Sequence, residues 1–469
     1  MRIMKTAQSM GIKTVAIYSE ADRNAPFVRF ADEAYPIGPP PSAESYLKMD
    51  KIIAVAKDSN CEGIHPGYGF LSENAEFARK VTDSGLVFIG PRPESIEVMG
   101  SKLDAKAAVK KFDTPLVPGT DEAVDDPEEA IQIAKDIGFP ILIKASAGGG
   151  GKGMRIVRKA DELKSQMERA ISEAKASFGD GAVFIEKFID SPRHIEIQIL
   201  ADNHGNIIHL NERECSIQRR HQKVVEEAPS SKLDPETREA MGNAAIDVAR
   251  SCKYTGAGTV EFLADAENNF YFLEMNTRLQ VEHPVTELIT GIDLVEQQIR
   301  IARDEELDLN QESIGIEGHA IELRVYAENP YDNFLPDIGK LEMYRPPKAE
   351  FIRVDDGFDE GMDVPIHYDP MLSKLVVYGA NRMQAIARMK HAIDHYQIQG
   401  VTTTLPFGRY VMDHPSFVEG SYDTQFVDHY FDAETLKAHE KEDMKVAAVA
   451  GLKLLLKEWD KVKLPIDQE

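Results

Sequence analysis

Between Phe270 and Glu282 the chain reads FYFLEMNTRLQVE, and from Glu274 onward its polar residues fall on every second position: Glu274, Asn276, Arg278, Gln280 and Glu282. Leu273, Met275, Thr277, Leu279 and Val281 take the alternate positions. Period-two alternation predicts an extended strand with one polar face. GTVEFL precedes it and ADAENN reads as a turn, so the two runs predict a hairpin that sets Glu261 beside Glu274. The first ninety residues alternate differently. KTVAIYS reads as a strand, Tyr46 to Lys57 as a helix, GIHPGYGF as a strand entering a Gly/Pro-rich loop, Asn74 to Ser84 as a helix and Leu86 to Gly90 as a strand. Such alternation predicts a parallel sheet with crossover helices, whose ligands sit at the carboxyl ends of strands.

Residues 91–116 read as a connector. Residues 117–188 read as a small α+β unit. Asp126 caps a helix with Pro127 in its first turn, and Gly138 ends it. ILIKA then leads through AGGGGKGM into RIV, followed by a helix from Ala160 to Ala176 and the strand AVFIEKFI. Residues 189–433 are strand-rich: HIEIQIL, NIIHLNERE, GTVEFL, NFYFLEMN and HAIELRVYA. Residues 434–469 form a helical tail whose VAAVAGLKLLLKEW run predicts an amphipathic helix, docked on its own protein or on a partner. The expected class is α/β and α+β.

Composition narrows the function. At 469 residues with a 42% apolar share the chain holds several domains and a sizeable core. A net charge of −25 opposes nucleic acid and anionic membranes, and an anionic substrate would need local cations or a metal. Cys61, Cys215 and Cys252 are scattered and make no metal spacing, which predicts a reduced, cytoplasmic protein. MRIMKTAQSMG lacks the apolar core of a signal peptide, and no run reaches membrane-spanning length.

Three segments carry chemistry. The row Glu274 to Glu282 orders a carboxylate, an amide, an anion-binding Arg and a second carboxylate, and with Glu261 it offers hard oxygen ligands of the kind Mg²⁺ accepts. In isolation a solvated sheet face explains such a row equally well. Lys144 precedes Gly148, Gly149, Gly150, Gly151 and Lys152. Consecutive glycines let backbone N–H groups approach phosphate, although Gly153 stands where a Walker loop needs Ser or Thr. Arg219, Arg220, His221 and Lys223 concentrate positive charge, either as an anion site or as surface partners of Glu226 and Glu227. His194, Glu196 and Gln198 alternate on another predicted strand and could face the same cleft, and Cys215 reads as a small buried residue.

HPGYGFLSEN, MGSK, KASAGGGGKGM, HIEIQIL, ERECSIQRRHQKVVEEAP, EMNTRLQVEHPVTE and YDPMLSKL occur in this order. Together they resemble biotin carboxylase, an ATP-grasp enzyme with a parallel-sheet N-terminal domain, a small lid domain and a strand-rich C-terminal domain. The resemblance implies that MgATP (or MnATP) phosphorylates bicarbonate to carboxyphosphate, whose CO₂ then carboxylates biotin. It implies that Glu261, Glu274 and Asn276 hold the metal. Lys102 and Lys144 would touch phosphates, and the Gly148–Gly151 run with Lys152 would close over them. Glu186, Phe188, His194 and Gln218 would belong to the nucleotide site, the strand at Glu186 and Phe188 meeting the adenine edge. Lys223, Arg278, Gln280 and the Val281 backbone would bind bicarbonate. Glu282 would be the general base, Arg324 would stabilise the biotin enolate, and Tyr68 would lie near biotin. Implied partners are a second copy in a homodimer, a biotin carboxyl carrier protein or domain, and a carboxyltransferase subunit.

Two departures stand out. The family opens with a strand and an Asn-Arg-Gly-Glu-Ile-Ala loop ahead of the position matching Met1, which bears on the first sheet edge and on a dimer contact near Arg2. No Met-Lys-Met attachment motif is present, so biotin would arrive on another protein or domain. The tail past Phe431 resembles subunits of propionyl-type or other acyl-CoA carboxylases. The competing readings are another ATP-grasp ligase joining a carboxylic acid to an amine, and a non-catalytic scaffold subunit.

Overall fold

The computed structural model describes residues 1–120, 122–124, 126–145, 154–178 and 181–459. Its centre is an eight-stranded sheet, antiparallel throughout. In chain order its strands are β1 (Arg193–Ala201), β2 (Ile207–Arg219), β3 (Gln222–Ala228), β4 (Gly256–Ala264), β5 (Phe270–Asn276), β6 (His319–Tyr326), β7 (Ile352–Asp356) and β8 (Met371–Gly379). Across the sheet they run β5-β4-β1-β2-β3-β6-β8-β7. Ile195, Ile197, Val260 and Phe262 point to one face, where they pack with Met241 and Ala245 of the helix Pro235–Ser251. His194, Glu196 and Gln198, at the alternate positions, are therefore left to the other face.

The hairpin forms as predicted, with Glu261 paired to Glu274 in register. Its second strand is shorter than the alternation suggested. Pairing stops at Asn276, and Glu282 instead sits just before the helix His283–Thr290, which has Pro284 in its first turn. Proline fits a first helical turn, so the polar alternation runs on past the strand into a loop and a helix start.

Residues 119–188 build a three-stranded antiparallel sheet from Ile141–Ala145, Met154–Val157 and Val183–Lys187, covered by Pro127–Ile137 and Ala160–Phe178. Ile141, Ile143, Leu163, Met167, Val183 and Ile185 form a core of its own. Asp126 caps the first helix through the Glu128 N–H, and Gly138 ends it at φ +83°. The glycine run Gly148–Gly151 and Lys152 lie outside the described residues.

The N-terminal residues give two parallel pairs, Val15–Ser19 with Glu33–Gly38 and Gly63–Ile64 with Val87–Phe88, which are not hydrogen-bonded into one sheet. The second pair is only two residues long on each side, too short to bridge to the first. Arg2 opens the helix Arg2–Ser9 and donates to Glu287 at 2.6 Å and Asp293 at 2.8 Å.

The tail is one helix, Ala433–Trp459. Leu436 is buried against the body, but Met444, Val449, Leu452, Leu455 and Trp459 are each more than half exposed. Leu454, Leu455 and Leu456 are consecutive, so its apolar residues circle the helix, and neither the amphipathic face nor docking on its own protein is realised there. Among the described residues no helix is long and apolar enough to cross a membrane.

Candidate active site

A row of charged side chains crosses the polar face of the sheet at right angles to the strands. Register produces it: Glu274, Glu261, Glu196 and Arg213 are successive cross-strand partners on β5, β4, β1 and β2. Arg324 and Lys374 are partners on β6 and β8. Lys223 joins them from β3, where the pairing shifts between Lys223 and Val225. That irregularity re-aims Lys223 to the side used by Glu226.

Arg213 is completely buried and anchors the row. Its guanidinium donates to Glu196 at 2.5 Å, Gln198 at 2.8 Å, and Thr259 and Thr286 at 3.0 Å. Lys223 then gathers three carboxylates: Nζ lies 2.5 Å from Glu196, 2.8 Å from Glu261 and 2.7 Å from Glu282. Arg324 bridges Glu226 at 2.6 Å and Glu282 at 2.9 Å. Burial alone would raise the Glu282 carboxyl. Lys223, Arg324 and Arg213 outweigh it and hold the group well below the usual carboxylate range. Desolvation opposes charge on Lys223, but its three carboxylates keep its pKa well above that of an ordinary lysine.

At the β5 edge, Glu261 is held low against its burial by Lys223 and His194. Glu274 is raised by burial and then by the Glu261 charge beside it. Two adjacent carboxylates in this state are what a hard divalent cation relieves, and Asn276 adds an amide oxygen, so the residues fit magnesium. His194 Nε2 lies 2.9 Å from Glu261, though poorly aligned for a hydrogen bond, and Gln218 meets His194 Nδ1 at 3.1 Å. Lys102, at the start of the helix Lys102–Val109, lies near enough to favour charge on Glu274. Lys144 and Lys106 both donate to Glu186, the latter at 2.5 Å. Phe188 spends its backbone N–H on Pro140 O at 3.1 Å, so this donor is not free to meet a base.

The loop after Asn276 completes the floor. Arg278 donates to Asn276 and Gln280, both at 3.1 Å, and Gln280 approaches Glu261 at 3.4 Å. Lys374 donates to Val281 O at 2.8 Å. Thus Glu261, Glu274, Asn276, Arg278, Gln280, Glu282, Lys223, His194, Gln218 and Arg324 converge, although of the five predicted on one strand only Glu274 and Asn276 lie on it.

The basic cluster separates, and its pairing with Glu226 and Glu227 does not form. Only Lys223 reaches the row. Arg219 pairs with Glu328 beneath Tyr326, Arg220 donates to Asn333 O, and His221 is exposed. Glu226 takes Arg324 rather than these groups, and Glu227 takes His319 and Arg382. A tight turn explains the separation, because Arg220 and His221 both have positive φ and point away from the strands. Cys215 is buried, and burial first of all pushes its thiol well up, which suits packing rather than nucleophilic attack. Tyr68 is 37% exposed between Gly67 and Gly69, whose φ values of +66° and +82° require glycine. Phe70 stacks on Tyr46 at 5.1 Å and meets Tyr368 edge-on at 6.2 Å, joining this loop to YDPMLSKL.

Sequence reasoning missed Glu73, which accepts the Thr277 N–H at 2.9 Å and Arg278 Nε at 2.8 Å. Its only signal was its place at the end of HPGYGFLSEN. Arg213, Glu322 and Lys374 were also missed, and Glu226 was read only as a surface partner of the basic cluster, because partners on separate strands leave no local spacing.

Three family profiles match. "Biotin carboxylase, N-terminal domain" covers residues 1–96, "Carbamoyl-phosphate synthase L chain, ATP binding domain" covers 101–310, and "Biotin carboxylase C-terminal domain" covers 322–429. The biotin carboxylase of a Nostoc species is 51% identical over 91% of this chain and 96% of its own length. The mitochondrial propionyl-CoA carboxylase alpha chain of Mus musculus is 52% identical over 94% of this chain, but only 62% of that longer chain is spanned. The biotin carboxylase domain dimer of Hydrogenobacter thermophilus 2-oxoglutarate carboxylase, solved in complex with MgADP, ADP and bicarbonate, superposes with a TM-score of 0.84 at 46% identity, covering 92% of this chain and 94% of that one. With an all-antiparallel sheet whose row of charges runs from a carboxylate edge across to Arg324, the chain belongs to the biotin carboxylase family of ATP-grasp enzymes.

Proposed function

We propose that this chain carboxylates biotin presented by a carrier protein or carrier domain, using bicarbonate and MgATP. The observation that carries the reading is the continuous link Glu261–Lys223–Glu282–Arg324. It joins a phosphate-type metal edge to a cation suited to a developing oxyanion. Glu261, Glu274 and Asn276 are the groups that would hold magnesium, which when bound would neutralise charge on the transferring phosphoryl group. Lys102 and Lys144 add positive charge on the same side, and Glu186 positions Lys144. Arg278, Gln280 and Lys223 offer donors to bicarbonate, the Arg through a planar fork.

Glu282 acts as the base towards bicarbonate. Its carboxylate is quenched by Lys223 and Arg324 in the described structure. A bound anion that draws those cations to itself returns proton affinity to Glu282, moving it towards the range where a base is effective. Arg324 then faces the enolate oxygen of biotin, where a fixed guanidinium is worth more than in water. Exclusion of water protects carboxyphosphate from hydrolysis.

The chain works with a carboxyltransferase subunit, as a dimer, in the cytoplasm. The relatives' names support a place in a carboxylase complex. Phosphate release from ATP tests the activity. It should require bicarbonate and rise when free biotin is added. Stimulation by an amine plus a carboxylic acid, with no response to biotin, would favour the carboxylate–amine ligase.

A further inference from the structure

Behind Arg324 stand two carboxyls that the mechanism does not use. Glu226 on β3 and Glu322 on β6 are direct cross-strand partners, and both are completely buried. Like charges at such a position repel at close range. Glu226 gives one oxygen to Arg324, while its other oxygen and both oxygens of Glu322 have no hydrogen-bond partner. A buried carboxylate with neither oxygen bonded is among the least favourable states for that group, and protonation is the ordinary relief.

The surroundings supply too little positive charge to hold both as anions. Arg324 is already divided between Glu226 and Glu282. Lys223 is divided among Glu196, Glu261 and Glu282. Lys374 donates to Val281 O and faces Asp355 at 3.5 Å. The helix His283–Thr290, laid over this part of the sheet, contributes apolar Val285 and Ile289 beside Val376, the β8 partner of Glu322. Its His283 is kept neutral by burial and by Lys374.

We propose that Glu226 and Glu322 form an acid pair that holds one proton and thereby positions Arg324 towards Glu282 and biotin. With one proton on the pair, Arg324 is shared evenly between one anion behind it and Glu282 in front. When that proton leaves to solvent, a second negative charge behind Arg324 draws the guanidinium away from the reacting ureido oxygen. The electrostatics agree with this: burial, with the Glu282 charge, pushes Glu226 up to about 7, and burial, with the Glu226 charge, pushes Glu322 well above the carboxylate range. Glu226 and Glu322 are positioning residues, and the inference rests on the role given to Arg324 above.

The test has two arms. Infrared spectra of the wild-type protein, without nucleotide or biotin, should show a protonated-carboxyl C=O band near neutral pH. It should fade as pH rises and be absent from Glu322→Gln or shifted in Glu226→Gln. This arm does not depend on what Arg324 does to biotin, and absence of the band in wild type overturns the proposal. In the second arm, biotin-stimulated phosphate release is divided by the bicarbonate-only rate at each pH. In wild type this ratio should fall several-fold as pH rises through the pair's titration. Glu322→Gln, which mimics the neutral acid, should keep the neutral-pH ratio and lose the fall. A variant whose ratio follows the wild-type curve refutes the positioning role even if the band is present.

Discussion

Removing the charge of Lys223 should destabilise the protein in a pH-dependent way. Lys223→Gln strips three buried carboxylates of a shared cation: Glu196, Glu261 and Glu282 all accept from Nζ within 2.8 Å, and Glu196 and Glu282 are fully buried. Arg213 still serves Glu196 and Arg324 still serves Glu282, so about one uncompensated charge remains. Breaking a buried pair in this way costs about 3–5 kcal/mol. For a cooperative unit the size of the main sheet and its helices, that is a melting shift of about 6–20 °C. The sign with pH follows from the carboxyls. In wild type, Glu261 and Glu282 are held low, so their contribution is present above the unfolded carboxylate pKa and is lost as pH falls through their folded values. In the variant, burial is opposed by fewer cations. Folded pKa values rise, and the folded state takes up protons as pH falls. The gap between the two proteins should therefore be widest at neutral pH and narrow towards about pH 4–5. Thermal unfolding of nucleotide-free, magnesium-free protein across that range measures it. A gap that stays constant with pH, or melting curves that overlay at neutral pH, would refute the shared-cation account.

Glu282→Gln should leave nucleotide affinity nearly intact and lower bicarbonate-dependent phosphate release by roughly 10²–10⁴, the range for loss of a general base. Glu261→Ala and Glu274→Ala should each raise the Mg²⁺ concentration needed for half-maximal rate, and titrations that overlay wild type would remove them from the metal site. Glu73→Gln should weaken the hold on Arg278 and raise KM for bicarbonate more than it lowers kcat. Equal KM values would mean that Glu73 only braces the loop.

Much of this site was legible because strand alternation is a short-range property. Glu261 and Glu274 could be paired from a hairpin of adjacent strands, and the buried state of Cys215 followed from its residue type and setting. What failed was continuation. The alternation from Glu274 to Glu282 is genuine, yet the strand ends at Asn276 and a helix begins at His283. The residues still converge because Arg278 is drawn back by Asn276 and Gln280. Arg219, Arg220, His221 and Lys223 looked like one cluster because they are near in sequence. The turn at Arg220 and His221 sends them in different directions. Glu73 and Glu322 were invisible, and Glu226 was given the wrong partners, for the opposite reason, since the groups they meet lie on other strands or in other domains. The tail's apolar residues are real, but consecutive leucines do not make a single face.

A row of charges set by cross-strand register has a consequence for how the chain avoids misfolding. Slipping any one strand by a residue turns its side chains to the opposite face. On β4 that would drive Glu261 among Met241 and Phe272 and put Val260 or Phe262 against Lys223. On β1 it would do the same with Glu196 and its isoleucine neighbours. Each slip would leave a carboxylate and a cation unpaired in a dry interior, several kcal/mol uphill. Long antiparallel strands whose other face carried only small neutral residues would tolerate shifted pairings more readily. The charged groups of the row thus also work as a proofreading code for strand alignment, and changes that neutralise several of them at once should yield sheets of mixed register.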